Sequence, residues 1–207
     1  MRLLVATRNT GKLREIRHEM VRAGWAKLEI VSLAEVGRPP VIPEDQPDFT
    51  GNARQKALGY ASATGLLTLA EDSGLCVDAL DGAPGVRSAR YAGEPCDDRA
   101  NNGRLLGALA GVGAAQRTAR FVCAAALARP GAVLTVLCDQ LEGVILEAPR
   151  GANGFGYDPL FFVPELGRTT AELSLEEKTR FSHRGKTLRR LMQWMREHRP
   201  LWWQMDP

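Results

Sequence analysis

The sequence lacks any apolar run long enough to cross a membrane. Its longest such run, residues 121–128, falls well short of the roughly 20 residues that a membrane-spanning helix needs. The N-terminal apolar stretch, residues 3–6, is also too short for the core of a signal peptide. We therefore expect a cytoplasmic protein that has no membrane partner.

Cysteine is scarce, with four in 207 residues, and no two of them have C-x-x-C spacing. Cys123 and Cys138 lie inside apolar runs, so we expect the cysteines to be reduced residues of the core. The sequence also contains no G-x-S-x-G motif. These absences exclude a disulfide framework, a zinc site and a serine hydrolase built on that motif.

Strong charge of either sign is absent as well. The 27 Lys and Arg residues nearly balance the 24 Asp and Glu residues, which gives a net charge of +3. No stretch is basic enough to predict a nucleic-acid partner. The segment 168–199 is nevertheless basic, and this suits either phosphate binding or the solvated face of a helix.

Apolar patterning predicts an α/β fold with a central mixed β-sheet and flanking helices, in one domain over residues 1–207. Apolar runs alternate with helical patterns early in the chain, and strands cluster in its middle. An Arg-Pro-Gly turn at 129–131 predicts an antiparallel hairpin. We predict strands at 3–6, 28–31, 66–70, 118–128, 132–138 and 142–148, a Pro-rich connection at 39–47, and helices from residue 12, over 52–64, around 105–109, after a capping box at 174–177, and over 188–195.

A loop joins the first predicted strand to the first predicted helix. It consists of Thr7, Arg8, Asn9, Thr10, Gly11 and Lys12. The unpaired backbone N–H groups and the positive dipole end at the start of a helix suit a phosphate group. Because the loop lacks the Walker pattern, the alternative is an Asn or Thr that caps an ordinary helix.

Glu71 and Asp72 directly follow a predicted buried strand. The ends of such strands commonly carry ligand groups in α/β proteins, and carboxylate oxygens suit Mg²⁺. Neighbouring strand residues point to opposite faces, so both carboxylates serve one ion only if the chain turns there, which Gly74 permits. The alternative is an acidic turn at the end of a strand.

Two later segments carry further candidate ligand groups. The segment 151–159 combines three glycines with two aromatic residues and an aspartate, which suits close approach to a nucleoside and stacking on its base. A plain turn is the alternative. His183 and Arg184, with Lys178 shortly before them, offer donors to phosphate or carbonyl oxygens.

In this order, the motifs resemble those of the inosine triphosphate pyrophosphatase family. The resemblance runs from residue 3 to about residue 191, over the stretches VATRNTGKLREI, NARQKA, AEDSGLCVDALDGAPGVRSARYAG, GFGYDPLFFVPELGRTTAEL and EEKTRFSHRGKTL. Members of that family hydrolyse nonstandard purine nucleoside triphosphates. The resemblance therefore implies an elongated, two-lobed homodimer that requires Mg²⁺ and has its active-site cleft between the lobes.

Carried over by position, the resemblance also implies roles for individual residues. It implies that Asp72 is the proton acceptor and a metal ligand, and that Glu44 is a second metal ligand. The residues that it implies for substrate binding are Thr7, Arg8, Asn9, Thr10, Gly11, Lys12 and Lys56 for the triphosphate, Ser73 beside the catalytic carboxylate, Phe155, Gly156, Tyr157 and Asp158 for the nucleoside, and Lys178, His183 and Arg184 for the base.

The sequence departs from the family pattern in the stretch F-x-E-N-A, which here reads Phe-Thr-Gly-Asn-Ala over 49–53. Gly51 stands where the family has a carboxylate, and its loss bears on metal affinity more than on the type of reaction. Arg8 stands where the family often has Gly or Asn, which matters little if only the backbone binds there.

The implied reaction is attack of water on the α-phosphorus of a nucleoside triphosphate, which releases the monophosphate and pyrophosphate. Donors from His183 and Arg184 would favour the 6-carbonyl of inosine or xanthosine over the amino group of adenosine. Two alternatives stay open. One is a related pyrophosphatase for modified pyrimidine nucleotides, and the other is a nucleotide-binding module without turnover, which the missing carboxylate at Gly51 favours.

Overall fold

A seven-stranded mixed sheet runs through the computed structural model, which describes residues 1–25 and 28–202. The strands are β1 (Arg2–Val5), β2 (Glu29–Ser32), β3 (Leu67–Val77), β4 (Thr118–Arg129), β5 (Ala132–Ile145), β6 (Phe161–Val163) and β7 (Arg168–Thr169). Their order is β2-β1-β3-β4-β5-β6-β7. β1 runs parallel to β2 and β3, whereas β6 runs antiparallel to β5 and β7, so the predicted mixed sheet is confirmed.

Helices begin where the sequence supplies capping side chains. The described residues form α1 (Thr10–Arg22), α2 (Phe49–Thr64), α3 (Asp98–Ala108), α4 (Leu175–Phe181), α5 (His183–Glu197) and α6 (Arg199–Trp202). Asp48 accepts a hydrogen bond from the Gly51 amide at 2.7 Å, so α2 starts earlier than predicted. The predicted capping box of α4 is confirmed, because Ser174 and Glu177 exchange both of its hydrogen bonds.

The third strand is longer than its apolar run. The predicted strand ended at residue 70, and this end is wrong, because β3 continues through Glu71 and Asp72 to Val77. The alternative of an acidic turn at these residues is wrong for the same reason. Both side chains are buried and find charged or polar partners, described below, so the strand need not turn them out to water. The hairpin prediction is confirmed, since β4 and β5 are neighbours joined by only two residues, a connection that suits antiparallel strands.

One compact unit consists of residues 1–72, 123–139 and the chain from residue 184. Its core packs the apolar faces of α1 and α5 with residues of β1 and β3. The apolar face predicted for the last helix is confirmed. Each of its four residues is at most 1% exposed, and they are Leu188, Leu191, Met192 and Met195. We call this unit 1.

The other compact unit, unit 2, consists of residues 73–122 and 140–183. Leu105 of α3 and Leu109, which follows that helix directly, belong to its core cluster. The rings of Phe121 and Phe161 belong to it too, and their centroids lie 4.3 Å apart. Aromatic pairs at this distance contribute beyond the burial of their area. The elongated shape and the cleft implied by the resemblance stay predictions.

The cysteines differ from expectation in their burial. All four are free thiols, but only Cys123 is buried, whereas Cys96 and Cys138 are exposed. The prediction of core positions is therefore wrong for these two. Cys138 illustrates the reason. It lies on β5, whose first six residues are only half-buried although their sequence is largely apolar. Within the described part of the chain, no helix combines the length and hydropathy needed to span a bilayer.

Candidate active site

The loop after β1 is exposed and leads into the first turn of α1. Asn9 caps that helix, because its side-chain oxygen accepts a hydrogen bond from the Lys12 amide at 3.0 Å. The Asn9 amide in turn donates to Thr7 Oγ1 at 3.2 Å. Arg8 and Thr10 are exposed beside them. The capping alternative is therefore present in the structure, and the phosphate-binding role of the loop stays a prediction.

Glu71 lies at the centre of a buried cluster of charges in unit 1. Arg184 Nε donates to its Oε2 at 2.7 Å, and Lys12 Nζ lies 3.2 Å from its Oε1. Arg184 Nη1 also donates to Glu15, and the Cys123 thiol lies 3.3 Å from Glu71 Oε2. The two carboxylates and the guanidinium are each exposed by 2% or less, so the cluster is nearly dry.

The charges in this cluster set its protonation. Burial by itself would raise the pKa of Glu71, but the cations of Arg184 and Lys12 outweigh it and hold that pKa well below its usual range. Burial and the Glu71 charge raise the pKa of the Cys123 thiol well above its ordinary value. Glu71 is therefore ionised and Cys123 is protonated at neutral pH, so the thiol is the donor in the bond between them.

Arg184 occupies a different environment from the one its predicted role suggests. The resemblance made it a reader of the base, whereas in the structure it forms ion pairs with Glu15 and Glu71. Such a pair, when buried, is costly to break because the remaining charge has no water around it. The contacts are those of a structural ion pair, and the base-reading role stays a prediction.

Asp72 points to different partners from its neighbour Glu71, as expected for adjacent residues of a strand. Asn52 Nδ2 donates to Asp72 Oδ2 at 3.0 Å, and Lys56 Nζ lies 3.6 Å from Asp72 Oδ1. Burial raises the pKa of Asp72, and the nearby Glu44 charge adds to this, against the opposing effects of the cations and of Asn52. A carboxylate with a raised pKa is suited to accept a proton.

Glu44 completes this second cluster. Lys56 Nζ lies 3.1 Å from Glu44 Oε2 and so bridges Glu44 and Asp72. The Glu44 charge also raises the pKa of Asp72, so the two carboxylates lie near each other. Within 1–25 and 28–202, no group of three or more His, Cys, Asp or Glu residues could hold a metal ion. Glu44 and Asp72 are nevertheless oxygen donors of the kind that suits Mg²⁺, which takes one or two carboxylates and keeps water and phosphate oxygens in its other positions.

In unit 2, the glycine-rich segment forms turns around Asp158. Asp158 is buried, and its Oδ2 accepts from the Phe155 amide at 2.8 Å and from Lys178 Nζ. Thr170 Oγ1 donates to its Oδ1 at 2.8 Å. These contacts make Asp158 the organising group of the turn, and its role as an acceptor for a sugar or base stays a prediction.

The aromatic residues of the segment differ in exposure. Tyr157 is buried and donates through its hydroxyl to the Ser88 carbonyl at 2.8 Å, and burial raises the pKa of that hydroxyl. Phe155 is half-buried, and Lys178 Nζ lies 4.6 Å from the centre of its ring. A hollow of about 320 Å³ lies against Phe155 and Gly156. Phe155 is therefore the ring of this segment that is placed to stack on a ligand.

His183 and Ser73 are less open than a ligand-binding role suggests. His183 is 4% exposed, and its ring stacks on Phe121 with the centroids 4.9 Å apart. Ser73 is half-buried in β3, next to Asp72 in the chain. Stacking on Phe121 thus fixes the ring of His183, and the substrate contacts of both residues stay predictions.

A family model described as the Ham1 family matches residues 3–194. The chain belongs to the Ham1 family.

Relatives that are named as pyrophosphatases match almost the whole chain. A Geobacter sulfurreducens protein named dITP/XTP pyrophosphatase is 52% identical, over 90% of this chain and 92% of its own. A Desulforamulus reducens protein of the same name is 49% identical, over 93% and 94%. Among solved structures, a HAM1 protein from Coxiella burnetii has a TM-score of 0.84 and 38% identity, over 95% of this chain and 99% of its own. A dITP/XTP pyrophosphatase from Mycobacterium abscessus has a TM-score of 0.74 and 43% identity, over 92% and 97%.

The Ham1 chain also contains site residues that its sequence did not reveal. Asp98 Oδ2 accepts from the Gly156 amide at 2.6 Å, and Asn102 Nδ2 donates to the Gly156 carbonyl at 2.8 Å. Both side chains come from α3 and fix the backbone of Gly156, the residue after Phe155. Glu15 was likewise missed. The partners in these pairs are far apart in the chain, so no local pattern marks them.

Proposed function

We propose that this Ham1 family member hydrolyses nonstandard purine nucleoside triphosphates, namely dITP, ITP and XTP, to the monophosphate and pyrophosphate. The observation that carries the proposal is Asp72, a buried carboxylate of raised pKa flanked by Lys56 and Glu44. The names of the relatives, dITP/XTP pyrophosphatase, support the choice of substrate. The reaction would remove these nucleotides from the cellular pool.

The cations of unit 1 suit the charge of a triphosphate, which must be neutralised before a nucleophile can approach. Lys12 and Lys56 supply positive charge, and the loop from Thr7 to Gly11 offers the N-terminus of α1. Glu44 and Asp72 would hold Mg²⁺, which when bound neutralises phosphate charge and polarises the phosphoryl group. Asn52 fixes Asp72 through Oδ2, so the proton of the attacking water is accepted at Oδ1.

The groups of unit 2 suit a nucleoside. Phe155 would stack on the base, an interaction worth about 1–3 kcal/mol. Asp158 and Lys178 hold the turn that carries this ring. We assign contacts with the substrate to Ser73, Gly156 and His183 as further proposals, with donors favouring a 6-carbonyl over an amino group. We also propose a homodimer in the cytoplasm.

The substitution Asp72→Asn tests the proposed chemistry. Asparagine preserves the size of the side chain but cannot accept the proton, so pyrophosphate release from dITP should cease while the circular dichroism spectrum stays that of the wild type. Asp139→Asn, which removes a carboxylate elsewhere in unit 1, is the control and should retain turnover. An active, folded Asp72→Asn enzyme would exclude Asp72 as the proton acceptor.

A nucleotide-binding module without turnover is the second candidate, because Gly51 stands where the resemblance places a carboxylate. Pyrophosphate release from dITP, ITP, XTP and modified pyrimidine triphosphates, each with and without Mg²⁺, separates the candidates. Release that depends on Mg²⁺ and on a purine 6-carbonyl supports the hydrolase. Binding of ITP without any product from the panel supports the module.

A further inference from the structure

The segment that carries Glu44 packs along one face of α2. That face is the row Gly51, Gln55 and Gly59, whose spacing of four residues places them above one another on a helix. A Cβ atom added at Gly51 would lie 2.8 Å from Cβ of Gln46. One added at Gly59 would lie 2.8 Å from Cδ1 of Ile42. Both distances are shorter than van der Waals contact, so segment 42–46 uses the space that two side chains would otherwise fill.

Polar contacts fasten the same segment between these two points. The side chain of Gln55, the middle residue of the row, lies close enough to Asp45 to lower the pKa of its carboxyl group. The Gln46 amide donates to Asn52 Oδ1 at 3.0 Å, and the same Asn52 side chain donates to Asp72 Oδ2 at 3.0 Å. Asn52 is 1% exposed. Its amide therefore links the backbone of segment 42–46 directly to the catalytic carboxylate.

Glu44 depends on this docking for its position. Its side chain is 40% exposed, so burial does not hold it in place. It approaches Lys56, and through Lys56 the carboxylate of Asp72, from a segment whose two ends rest on Gly59 and Gly51. A displacement of that segment would move Glu44 away from Asp72.

We propose that Gly51 and Gly59 are positioning residues, whose lack of a side chain lets segment 42–46 pack on α2 and present Glu44 together with Asp72 to a divalent cation. The proposal rests on the proposed function. It also gives a physical account of the departure at Gly51, because a carboxylate side chain there would collide with Gln46. Gly51 is thus a contact in this chain and not simply a missing ligand.

Local helix energetics alone predict the opposite effect of substitution. Glycine inside a helix is less favourable than alanine, so Gly51→Ala and Gly59→Ala should stabilise α2 if packing did not matter. The packing described above predicts that they displace segment 42–46 instead. Gly103, in α3, is the matched control, because an added Cβ there meets no atom within 4 Å.

The test measures Mn²⁺ binding from the electron paramagnetic resonance signal of the unbound ion, and hydrogen exchange at the Gln46 amide. We expect Gly51→Ala to weaken Mn²⁺ binding by about 10- to 100-fold, the range for residues that orient a metal ligand, and to speed exchange at Gln46. Gly59→Ala should weaken binding too, and Ile42→Ala in the same chain should restore it by making room. Gly103→Ala should match the wild type in both measurements.

Two results would overturn the proposal. One is a folded Gly51→Ala chain with wild-type Mn²⁺ affinity and wild-type exchange at Gln46. The other is a double variant, Gly59→Ala with Ile42→Ala, that binds Mn²⁺ no better than Gly59→Ala alone. This comparison decides the question if Gly51→Ala does not fold. Pyrophosphate release from dITP is measured separately on the wild type, so a chain that binds Mn²⁺ without turnover would refute the proposed function and leave this inference standing.

Discussion

Removing the Arg184 side chain should destabilise the protein severely, because it strands two buried carboxylates. Arg184 is 2% exposed and pairs with Glu15 and Glu71, which are 1% and 2% exposed. Breaking a buried ion pair by deleting one partner costs about 3–5 kcal/mol. At about 2–4 °C per kcal/mol for a chain of this size, Arg184→Ala should lower the melting temperature by about 6–20 °C.

The same helix offers a matched control. Arg190 is also on α5 and also pairs with a carboxylate, that of Asp139, but its side chain is 53% exposed. A pair in contact with water contributes at most about 1 kcal/mol. Urea unfolding should therefore show a large loss of unfolding free energy for Arg184→Ala and a small loss for Arg190→Ala, each compared with the wild type. Restoring stability by adding Glu15→Gln and Glu71→Gln to Arg184→Ala would confirm that the stranded charges cause the loss.

Lowering the pH should reduce the difference in unfolding free energy between the wild type and Arg184→Ala. Although burial opposes it, Arg184 and Lys12 hold the pKa of Glu71 below its ordinary value of 4.5. Ionised Glu71 thus contributes stability that is present above that value and is lost as the pH falls. Unfolding curves at a series of pH values should converge below about pH 4.5. Equal losses for the two arginine variants, or a gap that does not change with pH, would refute the reasoning.

Two further predictions concern unit 2. Asp98→Ala removes the acceptor for the Gly156 amide and should raise the KM for dITP roughly tenfold, with a smaller change in kcat. Asp98→Asn keeps an acceptor oxygen and should have a KM close to that of the wild type. An unchanged KM in the alanine variant would contradict this prediction. The backbone amide of Ser174 and the side chain of Arg168 lower the pKa of Glu177 to about 2, so Arg168→Ala should raise that pKa in a carbon-13 NMR titration of the side chain.

Local sequence patterns were sufficient to predict most elements of the fold. The capping box at Ser174, the hairpin at residues 129–131 and the apolar face of α5 are all encoded within a few residues, and all are confirmed. The strand at β1 and the helix after it also follow from adjacent residues. Such features depend on neighbours in the chain, which a single sequence displays.

The partners of the site residues could not be predicted in the same way. The base-reading role of Arg184 comes from the family resemblance and stays a prediction, and no local pattern indicated its contacts with Glu15 and Glu71, 169 and 113 residues away. The end predicted for the third strand at residue 70 was wrong, since cations from distant segments keep the Glu71 carboxylate inside the strand. The ligand contact of Asp158 stays a prediction, and its sequence context did not indicate that the turn folds around this side chain. Pairing across such separations leaves no periodicity or spacing to detect.

The neighbouring carboxylates of β3 make strand alignment a condition for both stability and chemistry. Glu71 belongs to the buried ion cluster, and Asp72 belongs to the candidate catalytic site. The two residues are adjacent in the strand, so their side chains point to opposite faces of the sheet. The alignment is set where β1 pairs with β3, with Leu3 opposite Leu67 and Val5 opposite Leu69. A shift by a single residue would turn each carboxyl group to the opposite face of the sheet, away from its present partners. Packing substitutions at those leucines should therefore impair catalysis from a distance, without touching any group that meets the nucleotide.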